Sequence, residues 1–292
     1  MRATPIAARG TLLLLLLPPP TLLSTEPTGT LISLLGGQAS IRFSQLNEDA
    51  VVLKRFTHLR DYANELAIVR LLARSPYILS PLATNAAQGE VVYRRAWDGD
   101  LHTFAGLGGL GYAELVRIVR QMVLAVGGVH EAGHLHLDVK PENFVREGLQ
   151  IWLIDFGLAA RTEVAPRGVG TPRTMAPEAL LATAQWMPMT AAADWWSVGA
   201  TIFYIFARYF DLPSDMHYGH FPYRVLYRER DGEAAAFDWA PRYPSRLPAP
   251  LLDLLFGWRG LLSLHVGGRL LSAGEILAHP FFCLPDRRPE DG

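Results

Sequence analysis

The sequence predicts an α+β architecture in two packed lobes, a small β-rich lobe followed by a larger α-helical one. Short apolar stretches broken by turn residues fill the chain up to residue 96, and wide apolar stripes at helical spacing fill it afterwards. Half of the 292 residues are hydrophobic, enough for a sizeable core. The expected boundaries are a leader or signal segment over 1–29, a domain over 30–283 and a polar tail over 284–292. Within the domain the small lobe covers about 30–96 and the large lobe about 97–283.

In chain order, Leu31 to Leu35, Ala39 to Phe43 and Val51 to Phe56 read as strands separated by Gly36-Gly37 and Asn47-Glu48-Asp49. From Tyr62 to Leu72, Leu66, Val69 and Leu72 recur at helical spacing, so one helix packs on that sheet. Two further strands are expected near Ile78 to Leu82 and over Glu90 to Arg94. Gly106 to Gly111 reads as a loop, because no strand feeds it into a glycine-led helix start as a phosphate cradle requires. Leu115, Ile118, Val119, Met122, Val123, Val126 and Val129 then form a wide helical stripe. Phe144-Val145 and Gln150 to Ile154 make a hairpin turning at Glu147-Gly148, and helices follow over Ala191 to Arg208, Ala249 to Leu264 and Ser272 to His279.

Composition excludes several functions. With 27 basic and 28 acidic side chains the formal charge is −1, so nothing points to nucleic acid or an anionic membrane as a partner. Cys283 is the only cysteine, which rules out an intrachain disulfide and a thiolate zinc site. His134 and His136 lack further ligands at a zinc-enzyme spacing. Arg2 and Arg9 ahead of Leu12 to Leu17, with three prolines behind, have the shape of a secretory signal, and a plain leader or a mis-assigned start codon accounts for them equally. The apolar run is too short to span a bilayer, so no transmembrane span is expected. The chain reads as cytoplasmic or, with a working signal, secreted.

The chemistry concentrates in His136-Leu137-Asp138-Val139-Lys140-Pro141-Glu142-Asn143 and Asp155-Phe156-Gly157, separated by a gap that fits one hairpin. Gly170-Thr171-Pro172, Ala176-Pro177-Glu178, the run Asp194 to Gly199, Gly268-Arg269 and Ala278 to Phe282 follow in order. Together these resemble the eukaryotic-type protein kinase superfamily, serine/threonine branch, over roughly Leu31 to Phe282. A secreted kinase of the rhoptry type is a fainter likeness, tied to the leader.

The resemblance implies ATP and Mg²⁺ as cofactors and a protein hydroxyl as substrate, and leaves the oligomeric state open. Asp138 would accept the hydroxyl proton, and Lys140 would reach the γ-phosphate. Asn143 and Asp155 would supply hard oxygen ligands to magnesium. Lys54, in Val51-Val52-Leu53-Lys54, would bind phosphates and pair with Glu65. Gly36 and Gly37 would open the phosphate-covering loop, Tyr93 would face the adenine, and the backbone from Arg94 to Ala96 would bond it. Glu178 and Arg269 would form a buried ion pair, and Asp194 would hold the backbone of the catalytic loop.

Two departures qualify that pattern. Only Gly36 falls in register with G-x-G-x-x-G, since Gln38 and Ile41 stand at the other glycine positions. Leu137 replaces the arginine that in many kinases reads a phosphate on the activation segment, so the chain is a non-RD variant for which activity independent of that phosphate is expected. The alternative is a pseudokinase that binds nucleotide or a partner without turnover. A small-molecule kinase is disfavoured by Gly170 to Glu178, which resembles a peptide platform.

Overall fold

Alternating residues on the early strands sort onto two faces, and one antiparallel sheet of five strands results, in the order β1-β2-β3-β5-β4. The strands of this computed structural model are β1 (Leu31–Ile32), β2 (Ala39–Leu46), β3 (Asp49–Phe56), β4 (Pro81–Asn85) and β5 (Glu90–Arg94). It describes residues 31–32, 39–46, 49–104, 109–162, 169–180, 189–212, 247–264 and 266–283. The leader, Gly36, Gly37 and the polar tail lie outside the described residues.

In register, Val52 stands opposite Tyr93 and Lys54 opposite Val91. Lys54, Phe56, Val91 and Tyr93 therefore share one face, while Val51, Leu53, Val92 and Ala83 form a small separate cluster on the other. Only Thr57 and His58 separate β3 from helix α1 (Leu59–Leu71), so the helix starts abruptly with little preceding loop. Tyr62, Leu66, Ile68 and Val69 bury it against the Lys54 face.

Strand β4 lies further along than the apolar run Ile78 to Leu82 suggested. The large lobe claims the start of that run: the Leu153 N–H donates to the Tyr77 carbonyl at 2.8 Å, and Ile78 bridges Leu153. Ile78 is buried there, whereas Leu82 on β4 is 44% exposed.

In the large lobe, α2 (Leu101–Phe104) leads to α3 (Tyr112–Glu131), whose apolar stripe is buried as expected. Strand β6 (His134–Leu135), a 3₁₀ turn over Pro141–Asn143, the hairpin β7 (Phe144–Glu147) and β8 (Gln150–Leu153), and β9 (Ala160–Arg161) follow. Pairing of β6 with β9 brings the approach to Asp138 beside the segment that leaves Asp155. Helix α4 (Pro177–Leu180) precedes α5 (Ala191–Tyr209), in which every residue from Ala192 to Ala207 is buried. A helix apolar on all sides belongs at the centre of a core.

Helix α6 (Ala249–Phe256) stops well short of Leu264. Gly257 turns extended there, and a side chain on it would meet the Asp253 carbonyl oxygen at 2.5 Å, so the chain can fold back only through glycine. Helix α7 (Ala273–Leu277) is capped by Ser272, whose hydroxyl accepts from the Glu275 N–H at 3.2 Å.

Candidate active site

Two groups of polar side chains meet between the lobes. The first is built on the sheet. Lys54 is 8% exposed and Glu65 1%, so neither is the solvated charge its residue type would suggest. The Lys54 ammonium donates to Glu65 Oε2 at 2.5 Å and to Asp155 Oδ1 at 2.8 Å. Burial alone would lower the Lys54 pKa, yet the charges of Glu65 and Asp155 outweigh it and hold the amine protonated. Asp155 is held below the ordinary carboxylate value because Lys54 offsets the cost of burial. Burial pushes Glu65 above it, with Lys54 offsetting only part.

Tyr93 requires a correction. Its side chain is buried and its hydroxyl donates to Glu65 Oε1 at 2.7 Å, so it braces the glutamate rather than facing an adenine. Burial and the adjacent carboxylate raise the phenol well above its ordinary value. Ala96 lies past the end of β5 at the crossing between lobes, beside Arg95, whose guanidinium stacks on Phe43 at 4.7 Å and on Trp97 at 4.9 Å. Asn64, which the sequence did not single out, donates through its side-chain nitrogen to the carbonyls of Phe156 (3.1 Å), Gly157 (3.3 Å) and Ala159 (2.8 Å).

The second group hangs on α5. Asp194 is 1% exposed, and its carboxylate accepts from the N–H groups of His136 (2.8 Å) and Leu137 (2.9 Å) and from His130 Nε2 (2.8 Å). Burial would raise its pKa, but these donors bring it below the ordinary value. They also hold Leu137 at φ 65°, a left-handed conformation that costs a leucine free energy unless its surroundings fix it. The strained residue aims Asp138 at the cleft. Asp138 Oδ2 accepts from Lys140 Nζ at 2.7 Å and Oδ1 from the Thr171 hydroxyl at 2.7 Å. Gly170, at φ 109°, lets that segment approach, since a side chain there would meet the Leu137 carbonyl oxygen at 2.2 Å. Thr171 is thus part of the site, a role carried by contact through space.

Asn143 donates its amide nitrogen to the Asp138 carbonyl at 2.8 Å, which leaves its amide oxygen to face a cation. Among the described residues no group of three His, Cys, Asp or Glu side chains could hold a metal. One carboxylate and one amide oxygen fit a hard cation that takes its other ligands from water and phosphate, as Mg²⁺ does. Behind the site, Arg269 is fully buried and grips Glu178 with two bonds of 2.5 and 2.8 Å, the expected pair. Gly36 and Gly37 cannot be set beside these residues, since they lie outside the described ones. Among the described residues no helix is long and apolar enough to cross a membrane.

Comparison with known proteins matches this arrangement to one family: the protein kinase domain model covers residues 46–282. CBL-interacting serine/threonine-protein kinase 14 of Arabidopsis thaliana is 33% identical over 198 residues, 65% of this chain and 43% of the relative. Mitogen-activated protein kinase 13 of Bos taurus is 32% identical over 196 residues, 60% of this chain and 51% of the relative. Citron Rho-interacting kinase of Mus musculus is 33% identical over 177 residues, 57% of this chain and 8% of the relative. The matches span about half or less of each relative's length. Among solved structures, the Cydia pomonella granulovirus kinase PK-1 superposes with a TM-score of 0.65 at 21% identity, covering 89% of this chain and 94% of that one, which supports the two-lobed fold.

Proposed function

We propose that this chain, which belongs to the protein kinase family, transfers the γ-phosphoryl group of ATP to a serine or threonine hydroxyl of a protein substrate. The observation that carries the reading is the joint presence of two assembled groups, Lys54–Glu65–Asp155 and Asp138–Lys140–Asn143. Phosphoryl transfer depends on positioning and charge neutralisation more than on covalent help, and both groups supply those before any substrate arrives. Asp138 orients the hydroxyl and takes its proton as the new P–O bond forms and the bond to ADP breaks. Lys140 lies beside it to neutralise charge on the transferred group. Lys54 holds the phosphates on the sheet side. Asn143 and Asp155 would hold Mg²⁺, which supplies most of the positive charge that the phosphates need.

The incomplete glycine pattern at Gly36-Gly37-Gln38 supports the rival reading, a pseudokinase that binds nucleotide or a scaffold partner without turnover. Labelled ATP with Mg²⁺ and a generic basic protein separates them. Transfer that stops in Asp138→Ala is the expected result, and nucleotide binding without any transfer favours the rival. Leu137 makes activity independent of activation-segment phosphate part of the same proposal.

A further inference from the structure

Asn64 and Glu65 are neighbours on α1, about 100° apart around the helix, and both point inward. Glu65 accepts from Lys54 on β3 and from Tyr93 on β5, at 2.5 and 2.7 Å. Asn64 meets three carbonyls of the turn directly after Asp155, the nearest at 2.8 Å. Carbonyls only accept, so the amide nitrogen must face them and the side chain has one workable orientation. Asp155 in turn accepts from Lys54. The bonds therefore form a closed ring from Lys54 to Glu65, along α1 to Asn64, into the Phe156 backbone and back through Asp155 to Lys54. It closes only while α1 lies against the cleft. His58, at the helix start, makes no side-chain capping bond, so these contacts do much to fix the helix.

We propose that Asn64 and Tyr93 are positioning residues that latch α1 in its Lys54-paired position, so that the chain reaches this arrangement with no phosphate on its activation segment. The inference rests on the kinase reading for its catalytic consequence, and on the ring of bonds alone for its structural one. Leu137 offers no guanidinium to receive a phosphate, so the ordering of α1 has to come from within the fold. Tyr93 braces the glutamate from the sheet and Asn64 ties the helix to the Asp155 turn. Neither residue needs to touch nucleotide.

The test uses the full chain, with Tyr93→Phe, Asn64→Ala and Asn64→Asp, the last keeping volume while turning the donor into an acceptor. Three readouts are taken: hydrogen exchange of the α1 amides, kcat and KM for ATP and for a peptide separately, and Tm. Each variant is expected to speed α1 exchange and to lower kcat/KM for ATP about tenfold, the effect of roughly 1.4 kcal/mol. Peptide KM and Tm should stay near wild type, and Asn64→Asp should show the largest loss. Combining Tyr93→Phe with Asn64→Ala should cost less than the product of the two, because both open one ring. Unchanged α1 exchange, or a loss of protection spread over the whole small lobe together with Tm, overturns the latch. If wild type transfers no phosphate at all, the proposed activity fails, and the exchange measurement decides the latch by itself.

Discussion

Asp138 and its neighbours hang from α5, a helix buried from Ala192 to Ala207, whereas Lys54 and Glu65 meet across a sheet–helix contact that side-chain hydrogen bonds close. In the large lobe the anchor is a buried carboxylate gripping backbone N–H groups, so the site and the core stand or fall together. In the small lobe the sheet has its own packing, and the polar ring can open while the sheet stays intact. The contrast suggests that the two halves of one site should fail in different ways. Damage to the buried anchors of the first, Asp194 and the Arg269–Glu178 pair, should appear as lost stability, and damage to the second chiefly as lost activity in a folded protein.

The sharpest way to break that contrast is Arg269→Met, which removes the buried guanidinium that grips Glu178. Loss of a buried ion-pair partner costs about 3–5 kcal/mol, so the urea midpoint should fall sharply. Lys54→Met probes the other half, read by paired kinetics and urea titrations: kcat/KM for ATP should drop on the order of 100-fold. The urea midpoint should fall less than in Arg269→Met, because Glu65, its pKa already raised by burial, can take up a proton once its partner is gone.

Asp194→Asn sharpens the comparison through pH. The folded-state pKa of Asp194 lies below its ordinary 3.8, so its contribution to stability is fully present above that value and is lost as the pH falls through the folded-state pKa. Urea midpoints measured against pH should fall below about pH 4 in wild type and flatten there in the variant, with a loss of about 1–3 kcal/mol at neutral pH. Glu65 has the opposite sign: burial raises its pKa, so its ionisation opposes folding and that cost is relieved as the pH falls. The smallest effect belongs to phosphatase treatment of the purified protein, which should leave activity within roughly twofold.

The sequence made the large-lobe half of the site legible because its residues are close in the chain. Asp138, Lys140 and Asn143 fall within one loop, and a single hairpin separates them from Asp155. Lys54 and Glu65 could also be read, one on a strand and one on the next helix. The role of Tyr93 could not, because its hydroxyl reaches a glutamate 28 residues away and nothing local marks that bond. Asn64 was hidden for the same reason, its acceptors lying 92 to 95 residues downstream. Apolar periodicity found the sheet, α3 and α5. It misplaced β4, where burial of Ile78 comes from the large lobe, and overran α6, where the backbone at Gly257 ends the helix.

The central claim is that Asp138 serves phosphoryl transfer in a folded, assembled site. Transfer from γ-labelled ATP to a serine- or threonine-containing protein, with Mg²⁺, should be compared between wild type and Asp138→Asn at matched Tm. The account predicts loss of about 10²–10⁴-fold in kcat with little change in stability. Equal labelling by the two proteins would contradict it.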